Sequence, residues 1–195
     1  VIRYGGDHTR KLMPNDKMVT KYPFLNTDYY INVSRAQIDN NLHLVLKSFE
    51  FLPDKLLVMI SNWNISDYGK SLKEKYHNKY SNIILLDAIY NREEIDTIRS
   101  CSFAYIHSHS YCGTSPSLVE AMSLGLPIIS FDVATNRETT QNKALFYYDD
   151  QSLVKIINEI DKNSIEQLGH EMREIAESEY RWSHISEQYS ELFIK

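Results

Sequence analysis

Short apolar runs alternate with amphipathic segments along most of the chain. Each run is four to six residues long and is expected to form a strand. The runs at residues 55–60 (K-L-L-V-M-I) and 82–86 (N-I-I-L-L) show no polar alternation, which is typical of strands buried on both faces of a sheet. The predicted strands are residues 28–33, 55–60, 82–86, 102–106, 128–131 and 144–147.

Longer segments between these runs carry apolar residues at helical spacing. In residues 40–51, Leu42, Val45 and Phe49 fall on one helical stripe. Strands alternating with helices of this length predict an α/β fold, a Rossmann-like open parallel sheet of about six strands with helices on both faces. The predicted helices are residues 40–51, 66–77, 92–99, 116–124, 152–161, 164–178 and 182–193.

The first residues of the chain do not follow this pattern. Residues 1–4 (V-I-R-Y) are expected to form a short strand, and residues 5–7 (G-G-D) a turn. Residues 8–27 contain Pro14 and Pro23 and show no sustained periodicity, so an extended linker or interdomain cover is expected there.

Charge and cysteine content narrow the function classes. The formal net charge is -5 and the basic residues are scattered, which argues against a protein that binds nucleic-acid polymers. The two cysteines, Cys101 and Cys112, are too few for a disulfide scaffold and fit a reducing compartment. No apolar run approaches the roughly 20 residues of a membrane span, and no signal-peptide pattern is present. A cytoplasmic location is therefore expected.

Two common nucleotide-binding signatures are missing from the sequence. No G-x-G-x-x-G follows the first predicted strand, and no G-x-x-x-x-G-K-[ST] occurs anywhere. A dinucleotide-dependent redox enzyme and a P-loop NTPase are thus disfavoured. In a parallel sheet with right-handed crossovers the loops that follow the strands share one edge, so four loops are expected to converge. These loops are residues 34–35, 62–64, 87–90 and 107–115.

Residues 107–127 (H-S-H-S-Y-C-G-T-S-P-S-L-V-E-A-M-S-L-G-L-P) predict a strand end, a loop and a helix. Ser115 and Pro116 suit the N-cap and first helical positions, and Gly125 suits the helix end. Free backbone N–H groups and the positive end of the helix dipole would meet in this loop, which is the outline of an anion site. A plain β-to-α turn has the same small residues and stays an alternative.

Two charged residues lie close to this predicted anion site. Arg35 follows the first strand, where its guanidinium suits a phosphate or carboxylate, although a solvated loop arginine is the alternative. Glu120 lies near the start of the following helix, where a carboxylate can accept hydrogen bonds from sugar hydroxyls. The alternative for Glu120 is an exposed charge that interacts favourably with the helix dipole.

His107, His109 and Cys112 form an H-x-H-x-x-C pattern that invites a zinc site. The pattern has no further Cys/His pair and does not have zinc-ribbon spacing, so we expect no metal there. A histidine facing a ligand's phosphate or hydroxyl group is the preferred interpretation. For residues 62–64 (N-W-N) turn formation and an anchoring aromatic ring are the alternative to ligand binding, and Tyr90 is a candidate to stack on a nucleobase.

Several of these motifs resemble those of one enzyme family. S-R-A-Q-I-D-N-N-L after the first strand, G-T-S-P-S-L-V-E-A-M-S-L-G-L-P-I-I-S and a terminal Trp-led helix resemble the C-terminal, donor-binding half of retaining GT-B glycosyltransferases of family 4. The likeness runs from residues 4–7 (Y-G-G-D) to the last helix, and is strongest to bacterial rhamnosyltransferases of capsule or exopolysaccharide assembly.

The resemblance implies roles for particular residues. Arg35 matches the family's basic residue on the donor diphosphate, residues 113–115 match the loop that wraps the phosphates, Glu120 matches the glutamate that holds the ribose, and His109 lies next to the donor sugar. Arg35 and His109 are expected to take part in catalysis. The residues expected to contact the donor are Arg35, Asn40, Asn41, Asn62, Ala88, Ile89, Tyr90, His109, Cys112, Gly113, Thr114, Ser115, Ser117, Leu118 and Glu120.

The sequence departs from the family pattern at two positions. Cys112 stands where the first glutamate of the family's E-x7-E motif is expected, and Asn40 stands where a lysine is common. Both departures fit the rhamnosyltransferase-like subgroup, and both also fit a weakened or altered donor site. The implied activity is transfer of a hexosyl or 6-deoxyhexosyl group from a nucleoside-diphosphate sugar, with dTDP-L-rhamnose the expected donor, with retention of configuration and without a cofactor.

The resemblance also implies how the chain is organised and what it binds. Residues 1–27 would be the interdomain linker, 28–178 the nucleotide-sugar domain, and 179–195 a helix that packs toward an N-terminal domain outside this sequence. That domain would bind a glycan or lipid-linked acceptor, so this part alone is expected to be inactive. Peripheral membrane association, and pairing of two chains through the terminal helix, are compatible with this scheme.

A different class of protein stays open. A non-catalytic Rossmann-like or flavodoxin-like domain, with a binding or regulatory role, would show the same alternation of strands and helices. In such a protein the loop residues named above would be structural.

Overall fold

Six parallel strands form one sheet in the computed structural model, which describes residues 3–193 apart from the side chain of Lys162. The strand order is β3-β2-β1-β4-β5-β6. The predicted α/β class and strand number are confirmed. The strands are β1 Tyr29–Val33, β2 Leu56–Ser61, β3 Ile83–Asp87, β4 Ala104–His107, β5 Ile128–Phe131 and β6 Leu145–Tyr147.

Helices connect these strands, and three more close the described part of the chain. The helices are α1 Asp16–Lys21, α2 Leu42–Glu50, α3 Asp67–Tyr76, α4 Arg92–Ser100, α5 Pro116–Ser123, α6 Ala134–Thr139, α7 Asp150–Glu159, α8 Lys162–Glu179 and α9 Trp182–Phe193. Short 3-10 turns cover Pro23–Asn26 and Ile38–Asn40. The seven predicted helices are present, with ends that move by a few residues.

The sheet is buried on both faces because successive side chains along each strand point to opposite sides. On β2, Val58 and Ile60 join one core with α4, α5 and α8, while Leu57 and Met59 join a second core with α2, α3 and α7. All four of these side chains are at most 2% exposed. The unbroken apolar runs in the sequence thus reflect two packed faces, as expected for a parallel sheet.

Three sequence predictions about local structure are corrected. Arg3 and Tyr4 are not in a strand, and Val1 and Ile2 lie outside the described residues. The segment 8–27 is not extended throughout, because Asn15 caps α1 by accepting a hydrogen bond from the Met18 backbone N–H. Helix α6 was also missed. At six residues each, α1 and α6 are too short to show a helical period.

The N-terminal segment packs on the sheet's helices instead of standing apart from them. Phe24 and Leu25 are buried in the core of α4, α5 and α8. Gly6 touches α5, where a Cβ atom would come within 2.5 Å of the Val119 carbonyl oxygen. Helix α5 ends as predicted, with Gly125 in the left-handed region at φ 72°.

Candidate functional site

The strand order reverses direction between β1 and β4, at the centre of the sheet. In open α/β sheets a crevice forms outside the carboxyl ends of the two strands at such a point, and ligands bind there. The loop after β1 carries Arg35, and the loop after β4 carries residues 108–115. The topology thus brings the two main candidate loops to opposite sides of one crevice.

The loop that carries Arg35 is fixed by side chains from neighbouring loops. The Ala36 backbone N–H donates to Asn62 Oδ1 at 2.8 Å, and Ser66 Oγ donates to the Ala36 carbonyl at 2.6 Å. Asn40 Nδ2 donates to the Arg35 carbonyl at 2.8 Å. Asn40 and Asn62 were both predicted to contact the nucleotide sugar, and in the structure they hold the backbone around Arg35.

Arg35 itself is exposed, and its guanidinium makes no hydrogen bond or ion pair within residues 3–193. A guanidinium has five N–H donors in a fork that matches phosphate oxygens. The backbone of Arg35 is thus held by hydrogen bonds, while its side-chain cation has no partner within residues 3–193. This arrangement is expected of an arginine that binds an anion.

Hydrogen bonds join the β1 loop to the β4 loop. Ser108 Oγ donates to the Asn40 carbonyl at 2.5 Å, and Asn41 Nδ2 donates to the Ser108 carbonyl at 3.1 Å. The backbone N–H and the hydroxyl of Ser110 both donate to the Asp39 carbonyl at 2.9 Å. Asn40 and Asn41 thus contribute to the site by fixing the distance between its two walls.

The first turn of α5 presents backbone donors without acceptors. Within the described residues, the N–H groups of Gly113, Thr114, Ser115 and Ser117 make no hydrogen bond. Ser115 occupies the N-cap position as predicted but forms no side-chain cap, and its hydroxyl lies 3.2 Å from that of Ser117. These donors, together with the helix dipole, meet the physical requirements of an anion site.

Two neighbours of this turn differ in what they offer a ligand. A Cβ atom added at Gly113 would meet no atom of the described residues within 4 Å, so the glycine leaves open space beside the backbone. Leu118, predicted to contact the donor, has a fully buried side chain that packs in the core. Its side chain is therefore not available to a ligand, and the predicted contact of Leu118 with the sugar donor stays a prediction for its backbone.

His107 and His109 lie side by side behind the loop. Their ring centroids are 4.4 Å apart, and in both rings Nε2 is buried without a hydrogen-bond partner in the part of the chain that the structure describes. Burial lowers the pKa of His109 to about 4, with Arg35 also lowering it against the opposing effect of Asp39. Burial likewise holds the pKa of His107 well below its usual range. Both imidazoles are therefore neutral at pH 7.

Cys112 completes the group that first suggested a metal. One ligand atom from each of His107, His109 and Cys112 lies within 4.8 Å of the others. The Cys112 thiol donates weakly to Asn136 Oδ1 at 3.7 Å, and burial raises its pKa. A neutral thiol is a poor metal ligand. The expected absence of a metal stays a prediction.

Asn136 on α6 is a site residue that the sequence did not reveal. Its Nδ2 donates to the carbonyls of His109 and Phe131, both at 2.9 Å. These bonds anchor α6 against the β4 loop. Helix α6 is too short to give a periodic signal, so no pattern in the sequence marked this asparagine.

The Glu120 side chain is more buried than a charge on the exposed face of a helix would be. Its Oε2 accepts from Arg99 Nη2 at 2.7 Å, and its Oε1 pairs with His8 Nε2 at 2.9 Å. The Arg99 side chain is 5% exposed, so this is a largely buried ion pair. Neither Arg99 nor His8 was predicted, because their contacts with Glu120 span 21 and 112 residues of sequence.

The loop after β3 borders a cavity of about 350 Å3. Its lining includes Ala88, Ile89 and Tyr90, as well as Tyr22 and Glu94. The Tyr22 hydroxyl donates to a Glu94 carboxylate oxygen, which also accepts from Lys21. The predicted base-binding loop therefore faces the short N-terminal helical region, which the sequence had not suggested as a wall. Tyr90 is 88% exposed and free to stack on a flat ligand.

None of the helices among residues 3–193 has the length and apolar character needed to cross a membrane.

Comparison with known proteins adds a family model and several structures. The model described as "Glycosyl transferases group 1" matches residues 16–179. Sucrose-phosphate synthase from Thermosynechococcus elongatus superposes with a TM-score of 0.82 at 17% identity, over 98% of this chain and 51% of that one. A glycosyltransferase from Rickettsia africae gives 0.80 at 12%, over 98% and 55%.

A third structure was solved with a ligand. HepE from Anabaena, in complex with UDP-glucose, superposes with a TM-score of 0.75 at 15% identity, over 93% of this chain and 53% of that one. At such identities these similarities establish the fold alone. The present chain spans about half the length of each of these structures. No curated protein sequence matches it significantly.

Proposed function

The chain belongs to the group 1 glycosyl transferases, and from this premise we propose that it is the half of such an enzyme that binds a nucleoside-diphosphate sugar. The proposal is supported by the fold shared with UDP-glucose-bound HepE. Transfer of the sugar would need a second domain for the acceptor, which we propose to be a glycan or a lipid-linked saccharide. We place the reaction in the cytoplasm, at the inner face of the membrane where the acceptor is lipid-linked.

The proposal rests on two sets of hydrogen-bond donors that lie on opposite sides of the crevice and have no acceptor within residues 3–193. Within residues 3–193, Arg35 supplies a free guanidinium from one loop, and the other loop supplies the free backbone N–H groups of Gly113, Thr114, Ser115 and Ser117. A diphosphate has acceptor oxygens on both of its phosphates and therefore fits between two such walls. Charge-assisted hydrogen bonds of this kind are about twice as strong as neutral ones.

The same groups would assist the chemical step. When the bond between the sugar C1 and the diphosphate oxygen breaks, its electron pair stays on that oxygen and negative charge develops there. Donors that already point at this position need not reorganise during the reaction, which lowers the barrier. We assign this role to Arg35 and to the amides at the start of α5. His109, neutral and adjacent, would face the donor sugar.

The nucleoside would occupy the space between Glu120 and the loop after β3. In this arrangement the Glu120 carboxylate accepts hydrogen bonds from the hydroxyls of the nucleoside's sugar, of which the deoxyribose of dTDP offers one, and residues 88–90 border the base. Tyr90 is exposed and could stack on it.

We propose a 6-deoxyhexose, rhamnose on dTDP, as the donor sugar, with transfer under retention and without a metal. Cys112 removes the carboxylate that related enzymes place against the sugar, and Asn40 removes one positive charge from the diphosphate site. A sugar with one hydroxyl fewer needs one contact fewer, which fits the loss of that carboxylate.

Calorimetric titration with UDP, GDP and dTDP tests the proposal. We expect binding of at least one of them below millimolar concentration, with dTDP the tightest. The variant Arg35→Ala should weaken binding of the nucleoside diphosphate. Its matched control is Arg181→Ala, which changes an exposed arginine outside the proposed site and should leave binding unchanged. No binding of any of the three nucleotides at millimolar concentration would favour the non-catalytic Rossmann-like alternative.

A further inference from the structure

Glu120 is held by groups from two other parts of the chain, and a third part contacts one of these groups. Arg99 on α4 donates to Oε2, and His8 in the N-terminal segment contacts Oε1. His8 in turn contacts Trp182 at the start of α9, with Trp182 Nε1 and His8 Nδ1 3.0 Å apart. A series of contacts therefore runs from Trp182 on α9 through His8 to Glu120, the residue predicted to bind the ribose.

This geometry fixes the protonation pattern of His8. An indole nitrogen can only donate a hydrogen bond, so Nδ1 of His8 must be the acceptor and carries no proton. In the neutral ring the proton is then on Nε2, which donates to Glu120 Oε1 at 2.9 Å. Trp182 thereby selects the one neutral tautomer that can donate to the carboxylate.

The N-terminal segment and α9 are packed closely enough to hold this arrangement. A Cβ atom at Gly5 would come within 2.6 to 2.8 Å of three Trp182 ring atoms, so only glycine allows this approach. The Trp182 backbone N–H donates to Asp7 Oδ1 at 2.9 Å, and Tyr4 meets the Trp182 ring edge-on at a centroid distance of 4.9 Å. The His8 and Glu120 side chains are only 24% and 18% exposed.

We propose that His8 is a positioning residue for the donor nucleoside and that Trp182 acts through it. An ionised carboxylate has about four lone-pair sites. The contacts with Arg99 and His8 use one site on each oxygen and fix the plane of the group. The remaining sites then point in set directions, which lowers the entropy lost when ribose hydroxyls bind. This inference rests on the proposed function of Glu120.

The test compares nucleotides with and without ribose hydroxyls. Calorimetry with UDP, which has two ribose hydroxyls, and with dTDP, which has only the 3′-hydroxyl, each beside its 2′,3′-dideoxy analogue, measures how much these hydroxyls add to affinity. Because His8 fixes one carboxylate oxygen of Glu120, we expect His8→Ala to reduce this advantage by roughly tenfold, which is about 1.4 kcal/mol, and to change binding of the dideoxy analogues by less than about twofold. Trp182→Phe keeps a ring over Gly5 but removes the N–H, and should reduce the advantage by about threefold.

Two further measurements separate positioning from a purely structural role. Gln places an amide N–H near the position of His Nε2, so His8→Gln should restore part of the advantage. Long-range proton–nitrogen NMR of the wild-type protein should show His8 with its proton on Nε2, and Trp182→Phe should mix the two tautomers. Thermal unfolding of each variant checks that the fold is intact.

The outcomes distinguish this inference from the function on which it rests. If the wild-type protein binds none of the diphosphates, the proposed function fails and the role of His8 fails with it. If the wild-type protein binds them and His8→Ala keeps the full advantage of the ribose hydroxyls, the inference alone is overturned. A proton on Nδ1 of His8 would also overturn it.

Discussion

At the start of α5 the backbone N–H groups of Gly113, Thr114 and Ser117 have no acceptor within residues 3–193, whereas Glu120, one turn further on, has a partner on each carboxylate oxygen. The two regions differ in exposure as well. Gly113 borders open space, while Glu120 pairs with the buried guanidinium of Arg99.

The two regions differ because a group without a hydrogen-bond or ion-pair partner destabilises the fold by an amount that depends on its charge and burial. A buried charge without a partner destabilises a fold by several kcal/mol, so Glu120 and Arg99 must be paired whether or not a ligand is present. N–H groups at a solvent-facing helix end can bond to water, and they cost little until a ligand displaces it. Changes near Glu120 should therefore lower stability and binding together, whereas changes near Gly113 should lower binding alone.

The largest effect is expected from Arg99→Met, which removes the cation between Glu120 and the buried Asp96. Two carboxylates would then be left without their shared partner, and breaking a buried pair costs about 3–5 kcal/mol. Urea unfolding at pH 7 measures the loss. Arg173→Met is the control, because that arginine is 56% exposed and its pair with Glu177 should contribute at most about 1 kcal/mol. A loss below about 1 kcal/mol for Arg99→Met would remove the contrast between the two regions.

Acid should destabilise the protein through His107, which is buried, and His109, whose Nε2 is buried. The folded-state pKa of His109 is about 4, below the ordinary value of 6.5, so the unfolded chain binds a proton that the folded chain does not. The contribution of His109 to the free energy of unfolding is therefore fully present above pH 6.5. It is lost as the pH drops toward 4, and the loss is about 3 kcal/mol. His107 shifts in the same direction.

Urea unfolding of the wild-type protein and of His109→Gln across this pH window tests that expectation. The variant should lose less stability between neutral and acid pH than the wild-type protein does, even if it starts lower. His170→Gln is a suitable control, because the His170 side chain is 68% exposed on α8. Equal pH dependence in wild type and His109→Gln would show that the pKa of His109 is not lowered in the folded protein.

Arg35→Ala tests the region around Gly113 from the opposite wall of the crevice. Because the guanidinium has no partner in residues 3–193, unfolding free energy should change by less than about 0.5 kcal/mol. Binding of a nucleoside diphosphate should weaken by about 1.5–3 kcal/mol, the usual contribution of a charge-assisted hydrogen bond. Binding of the nucleoside alone should change much less. Equal losses for both ligands in calorimetry would remove the phosphate role of Arg35.

The sequence was sufficient for features that depend on local pattern. Apolar runs such as residues 55–60 identified the strands, and the strand-loop-helix pattern of residues 107–127 placed a helix start at Pro116. Parallel crossovers then placed Arg35 and the 107–115 loop at one edge of the sheet, as the strand order confirms. The strands and the helix start each leave a signal in one continuous stretch of sequence.

Features built from distant residues left no such signal. The partners of Glu120 come from Arg99 and His8, and the tautomer of His8 depends on Trp182, 174 positions away. Asn40 and Asn62 were predicted as ligand contacts, and they hold the backbone around Arg35. A residue type near a site indicates polarity, but only the folded chain shows whether its partner is a ligand or a neighbouring loop.

The smallest effect is expected from Gly113→Ala, and it separates the two regions most cleanly. A Cβ atom at Gly113 meets no atom of residues 3–193 within 4 Å, so the free energy of unfolding should stay within about 0.5 kcal/mol of wild type. The methyl group would project into the space beside the free N–H groups, and diphosphate affinity should fall by about 1 kcal/mol, roughly the value of one hydrogen bond.

Gly6→Ala is the matched control for that substitution. Its Cβ atom would come within 2.5 Å of the Val119 carbonyl oxygen and of Ser123 Oγ, so the N-terminal segment must shift and unfolding free energy should fall. Calorimetry with dTDP and urea unfolding, applied to both variants, should therefore give opposite patterns. If Gly113→Ala lowers stability as Gly6→Ala does, the loop after β4 packs more tightly than described, and its amides are not open to a ligand.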